Sequence, residues 1–127
     1  MPRISHIAVK VDEVDDAAEF YEKTFGFISK GKSRSPDRSR RRVDDGAIDL
    51  TFLKYDDEDS DMAQAAGQKP CIHHFAIEVD DFDKSVADIK KLGCEIISDP
   101  GVVPVKFRAP GGTVAEIVPT ARYKKSQ

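Results

Sequence analysis

Tryptophan is absent from the 127-residue chain, and cysteine, methionine and histidine occur only two, two and three times. Cys71 and Cys94 cannot build a disulfide framework and have no Cys-x-x-Cys spacing, so they read as small buried thiols. No apolar run approaches the roughly 20 residues that cross a bilayer, and Met-Pro-Arg at the start holds no apolar signal core. The chain is therefore expected in the cytoplasm, away from membranes. An excess of positive charge is also missing. A net charge of -3 and a pI near 5.6 give no overall pull toward nucleic acid or an anionic bilayer. What is present, 39% hydrophobic residues, suits one compact domain over residues 1–127 that buries about two-thirds of its unfolded surface.

The sequence repeats itself. Ser5-His6-Ile7-Ala8-Val9-Lys10-Val11-Asp12 and His73-His74-Phe75-Ala76-Ile77-Glu78-Val79-Asp80 share one pattern of alternating character. The offset that carries His6 onto His74 also carries Asp12 onto Asp80. It is one residue shorter where Gly26 meets Gly93 and where Asp49-Leu50 meets Glu116-Ile117. Two units, 4–54 and 72–119, are thus joined by a linker, 55–71.

Each unit reads as β-α-β-β-β. In the first, a strand over 4–11 leads to a helix capped by Asp12 or Asp15, buried along Ala17, Phe20, Tyr21 and Phe25, and stopped by Gly26. Phe27-Ile28 begins the next strand. Residues 30–42 carry seven Lys or Arg against one Asp and read as a solvated loop and strand edge. No aromatics interleave these charges, which argues against nucleic acid; the functional alternative is a clamp for an anionic substrate tail, with Arg40, Arg41 or Arg42 supplying forked donors. The acidic run Asp56 to Asp61 lacks the glycine and terminal glutamate of a calcium loop and reads as solvated linker before a short helix. The second unit has a strand over 73–79, a helix over 83–92, strands over 95–98, 105–108 and 113–118, and then a polar, frayed tail, 122–127.

Alternation assigns faces. Ile7, Val9 and Val11, with Phe75, Ile77 and Val79, suit packing under the two helices. His6 and His74 share the other face, together with Asp49 and Glu116 from the last strand of each unit. Two of only three histidines at equivalent repeat positions beside two carboxylates are metal-ligand chemistry suited to Zn, Ni, Mn or Fe. His73 matches Ser5 and falls on the opposite face, away from that set.

The tandem units, the His-x-x-x-x-Val-Asp openings, the run Phe-Tyr-Glu-Lys-Thr-Phe-Gly-Phe and the finish Pro-Gly-Gly-Thr-Val-Ala-Glu-Ile resemble the vicinal oxygen chelate superfamily. That superfamily includes glyoxalase, methylmalonyl-CoA epimerase, extradiol dioxygenases, and fosfomycin and bleomycin resistance proteins. The resemblance covers nearly the whole chain. It implies an α+β fold in which the units form a curved, helix-covered mixed sheet with a cupped site, a divalent metal ion, and a homodimer. Its ligands fall on His6, Asp49, His74 and Glu116, where Asp49 is one methylene shorter than the usual Glu or Gln. The implied reaction is that of a glyoxalase-like, lactoylglutathione lyase-type lyase or isomerase: proton abstraction from a small oxygen-chelating substrate, with Glu116 as base and Asp49 as second choice, and stabilisation of an enediolate. Arg41, Lys106 and Arg108 are the candidates for binding a negatively charged substrate end. Two other readings stand beside it. One is an Fe(II) extradiol-type dioxygenase using His6, His74 and Glu116 as a facial triad; the other is a metal-free binding or resistance protein.

Overall fold

The computed structural model describes residues 1–120, and the expected frayed tail lies outside them. The chain runs β1 (Arg3–Lys10), α1 (Val14–Phe25), β2 (Ile28–Ser35), β3 (Arg38–Asp44), β4 (Asp49–Tyr55), α2 (Asp61–Gln64), β5 (Cys71–Val79), α3 (Phe82–Lys91), β6 (Val105–Arg108) and β7 (Val114–Pro119). All seven strands belong to a single mixed sheet of order β2-β3-β4-β1-β5-β7-β6. Within each unit the first and last strands run parallel, β1 with β4 and β5 with β7, while β1 and β5 join the units antiparallel at the centre. This is the expected α+β plan, with one strand fewer. Residues 95–98 make only an isolated bridge, Ile96 to Phe107, flanked by Ile97 N–H to the Lys106 carbonyl and Arg108 N–H to the Glu95 carbonyl, each at 2.9 Å.

The helices cover one face of the sheet. Under α1, Val14, Ala18, Val43 and Phe52 are buried with Val9, Tyr21 and Leu50 against them; under α3, Val79, Phe107, Ala115 and Ile117 are buried with Phe75, Ile77, Val86 and Ile89. The stripe of α1 is therefore Val14, Ala17, Ala18 and Tyr21. Phe20 and Phe25 are more than half exposed, one helical step outside it. Glu13 holds the N-cap position with its side chain paired to Lys54 and not capping the helix, whereas Asp15 pairs with Lys32 and Arg41. Gly26 closes the helix in the left-handed region at φ 73, which a side chain there would resist.

The basic segment is a hairpin, not a loop. Pro36-Asp37 makes the turn between β2 and β3. Its charges are tolerated because they find acidic partners: Arg34 with Asp56, and Arg41 with Asp15 and Glu22. The linker is also built structure. Ala63 of α2 is fully buried in a cluster with Ala8, Leu53 and Tyr55, and the buried Lys10 ammonium donates to the Ala63 and Gly67 carbonyls at 2.8 and 2.6 Å. Among the described residues no helix is long and apolar enough to cross a membrane.

Candidate metal centre

The concave face of the sheet gathers at the β1–β5 junction. The ladder pairs His6 with Ala76 and Ala8 with His74, so the two histidines sit diagonally across the seam. Next to them β7 pairs Glu116 with Ala76. His6, His74 and Glu116 are all at least 95% buried, and one ligand atom from each lies within 4.8 Å of the others. His6 Nε2 is 2.9 Å from Glu116 Oε1 and 3.4 Å from His74 Nε2; His74 Nε2 is 3.3 Å from Glu116 Oε2. Donors bound to a common ion at about 2.0–2.2 Å stand roughly 3.0–3.4 Å apart for octahedral or tetrahedral angles. The spacings in the trio match, and two imidazoles with one carboxylate are a donor set for Zn, Ni, Mn or Fe. These residues fit a divalent ion.

Electrostatics favour the ligand state of Glu116 and His74. Burial pushes the Glu116 carboxyl upward, but the close contacts with His6 and His74 and the nearby Lys106 ammonium outweigh it and hold it well below the usual range. Burial lowers His74, against the raising effect of Glu116, which favours the neutral imidazole a metal needs.

Asp49 is buried and shares the register position of His6, but its Oδ2 accepts from Arg42 Nη1 at 2.9 Å. It does not belong to the trio. Burial and a hydrogen bond with Asp44 raise its pKa, against the lowering effect of Arg42. The ladders explain its absence. Ala8 pairs with Thr51 where its repeat counterpart Ala76 pairs with Glu116, so Thr51, two residues beyond Asp49, stands in the place equivalent to Glu116. Its buried hydroxyl has no hydrogen-bond partner among the described residues. Counting offsets along the sequence could not find this, because the slip lies in the loops before β4 and β7.

His73 is also displaced from its expected face. The β1–β5 ladder passes from Ala8/His74 to Val9/Ile72, which leaves His73 as an extra residue on β5; Ser5 is the matching extra residue on β1. Such a bulge re-aims a side chain. His73 is 1% exposed, with Nδ1 2.8 Å from His74 Nδ1 and Nε2 2.7 Å from the Met62 carbonyl. Burial, partly offset by that carbonyl, lowers its pKa to about 4.

A cavity of about 240 Å³ opens over the trio, lined also by Ser33, Arg38, Arg40, Arg42, Thr51 and Lys106. Lys106 Nζ is 3.0 Å from Glu116 Oε2. Arg41 points the other way, to Asp15 and Glu22 on α1. Arg108 bonds the Gly112 and Ala65 carbonyls and does not line the cavity. Strand alternation was the available signal: it puts Arg38, Arg40 and Arg42 together and Arg41 opposite.

A family model described as the glyoxalase/bleomycin resistance protein/dioxygenase superfamily matches residues 3–116. No curated protein matches the chain. Among solved structures, a hypothetical protein from Bacillus halodurans superposes with a TM-score of 0.78 at 20% identity, covering 99% of this chain and 98% of its own, a likeness of fold alone. A methylmalonyl-CoA epimerase in complex with methylmalonyl-CoA and ammonium gives a TM-score of 0.77 at 25% identity, with 99% of each chain covered. A variant methylmalonyl-CoA epimerase from Streptomyces coelicolor in complex with 2-nitronate-propionyl-CoA gives 0.76 at 26% identity, covering 94% of this chain and 97% of its own.

Proposed function

Because the chain belongs to the glyoxalase/bleomycin resistance protein/dioxygenase superfamily, we propose that it is a metal-dependent enzyme of the isomerase type, moving a proton on a carbon beside a carbonyl of a small, anionic, oxygen-chelating substrate. The convergence of His6, His74 and Glu116 carries this reading. The epimerase neighbours, solved with carbonyl-bearing acyl-CoA ligands, support isomerisation. They lend nothing to a lactoylglutathione lyase reaction, so isomerisation is preferred.

When bound, a divalent ion supplies Lewis acidity for the oxyanion that develops as the proton leaves. His6 and His74 would hold it through Nε2, and Glu116 through a carboxylate oxygen. We assign the base role to Glu116 as well. Asp49 has the higher proton affinity, but it lies behind Arg42, whereas Glu116 is the carboxylate among the cavity-lining residues. Geometry ranks before pKa for a general base. Arg38, Arg40, Arg42 and Lys106 line the cavity, and although Arg38, Arg42 and Lys106 also pair with Asp37, Asp49 and Glu116, their donors favour an anionic substrate. Arg41 and Arg108, both turned elsewhere, leave the substrate-binding role to these four. A homodimer is the assembly that membership of this superfamily supports.

The test is exchange of the carbon-bound proton of small 2-oxo acids and acyl thioesters with deuterated water, on protein loaded with Zn, Ni, Mn or Fe, followed by proton NMR. Metal-dependent exchange that Glu116→Gln removes and Asp49→Asn leaves within about threefold is the expected result. Oxygen uptake on catechols without exchange would replace this reading with a dioxygenase.

A further inference from the structure

We infer that His73 is a positioning residue: with the Met62 carbonyl it fixes His74 as the Nδ1–H tautomer and so presents a bare His74 Nε2 to the trio. The inference rests on the metal-centre reading above, although His73 itself lies outside the ligand set.

The proton positions follow from the partners. A carbonyl oxygen only accepts, so the 2.7 Å contact with Met62 requires the hydrogen of His73 on Nε2. The two Nδ1 atoms of His73 and His74, 2.8 Å apart, hold one hydrogen between them. His73 is 1% exposed and packs beside the Tyr55 ring at 5.6 Å. In a neutral imidazole the Met62 carbonyl takes the one N–H of His73, and its Nδ1 is left as an acceptor. The shared hydrogen belongs to His74 Nδ1. A neutral imidazole has a single N–H, so His74 Nε2 carries only its lone pair.

That outcome is not what the trio alone would select. Glu116 Oε2, 3.3 Å from His74 Nε2, would draw the hydrogen to Nε2 and block the ligand atom. The relay through His73 opposes it from the other side of the ring. Its far anchor is the linker helix α2, whose N-cap Ser60 accepts from Ala63 N and whose Ala63 carbonyl is held by buried Lys10. The segment between the repeat units therefore sets the protonation pattern of a ligand it does not touch. Ser5, the bulge residue of the first unit, instead reaches the Ala76 carbonyl at 3.5 Å, so the relay belongs to the second unit alone.

Two-bond proton–nitrogen correlation spectra of metal-free, nitrogen-15-labelled protein read the tautomers without any substitution. The expected spectrum has the hydrogen of His74 on Nδ1 and that of His73 on Nε2; a hydrogen on His74 Nε2 would overturn the inference. Chelator competition gives a second readout. His73→Leu should weaken zinc binding by about 10- to 100-fold, and His73→Asn, whose side-chain oxygen replaces the Nδ1 acceptor, should recover most of it. A folded His73→Leu protein that binds zinc within roughly threefold of the parent contradicts the relay. If the parent takes up no metal at all, the functional reading fails, and the spectra still decide the tautomer.

Discussion

Beside Ala8 in the first repeat unit stands Thr51; beside Ala76 in the second stands Glu116. The same two places on the same two ladders thus hold a hydroxyl and a carboxylate, while the flanking histidines, His6 and His74, are alike in burial and aim. The neighbouring bulges differ as well, Ser5 in one unit and His73 in the other. Duplication supplied a symmetric pair of imidazoles, and divergence left one carboxylate and one buttressed histidine. A site with three protein ligands keeps positions open for substrate oxygens, which catalytic centres need and closed structural centres lack.

The sharpest way to break this comparison is to exchange the two sides. Glu116→Ala removes the trio's carboxylate and should lower affinity for zinc by more than about 100-fold in calorimetric titration, whereas Asp49→Asn should stay within about threefold. Thr51→Glu should restore the symmetry, tightening zinc while reducing turnover roughly tenfold, because the added carboxylate takes a position meant for substrate. Equal losses from Glu116→Ala and Asp49→Asn would show that the ladder register misidentifies the fourth position.

A smaller contrast lies one step along the same strands, where Lys10 and Glu78 are repeat counterparts. Lys10 is 2% exposed and ties α2 to the sheet through two carbonyls, whereas Glu78 meets Arg3 at a partly exposed pair. Lys10→Met should reduce the unfolding free energy by about 3 kcal/mol, as expected for hydrogen bonds to a charged donor. Glu78→Gln should cost under about 1 kcal/mol. Urea denaturation of both variants measures the difference.

A further contrast, seen only at alkaline pH, concerns the strand ends. Tyr55 finishes β4 in a buried position, and burial pushes its phenol up to about 12; Thr120, its counterpart after β7, is exposed. The folded phenol holds its proton above the unfolded value of about 10, so this contribution is complete below pH 10 and is lost as pH rises toward 12. It should amount to on the order of 2 kcal/mol, and Tyr55→Phe should flatten the alkaline limb of stability measured against pH.

Much of this was legible in the residues. His6 and His74 announce themselves because histidine is rare here and both fall at equivalent places in alternating strands, and the glycine stops and apolar faces place the helices. Three things were hidden, each for a physical reason. His73 looks outward until the bulge adds a residue to β5, and a bulge leaves no period in the sequence. Asp49 looks equivalent to Glu116 because counting cannot see how far the loops before β4 and β7 slide the strands. The acidic linker reads as solvated, although its second half folds back onto the buried Lys10, which is 53 and 57 residues away in sequence from the Ala63 and Gly67 carbonyls it holds.

The central claim, that His6, His74 and Glu116 hold one divalent ion per chain, is tested most directly by elemental analysis of the purified, tag-free protein after incubation with zinc, nickel, manganese and iron, beside the His74→Ala variant. One ion per chain in the parent and none in the variant is the predicted result. A parent that retains no metal, or a variant that retains it fully, would contradict the account.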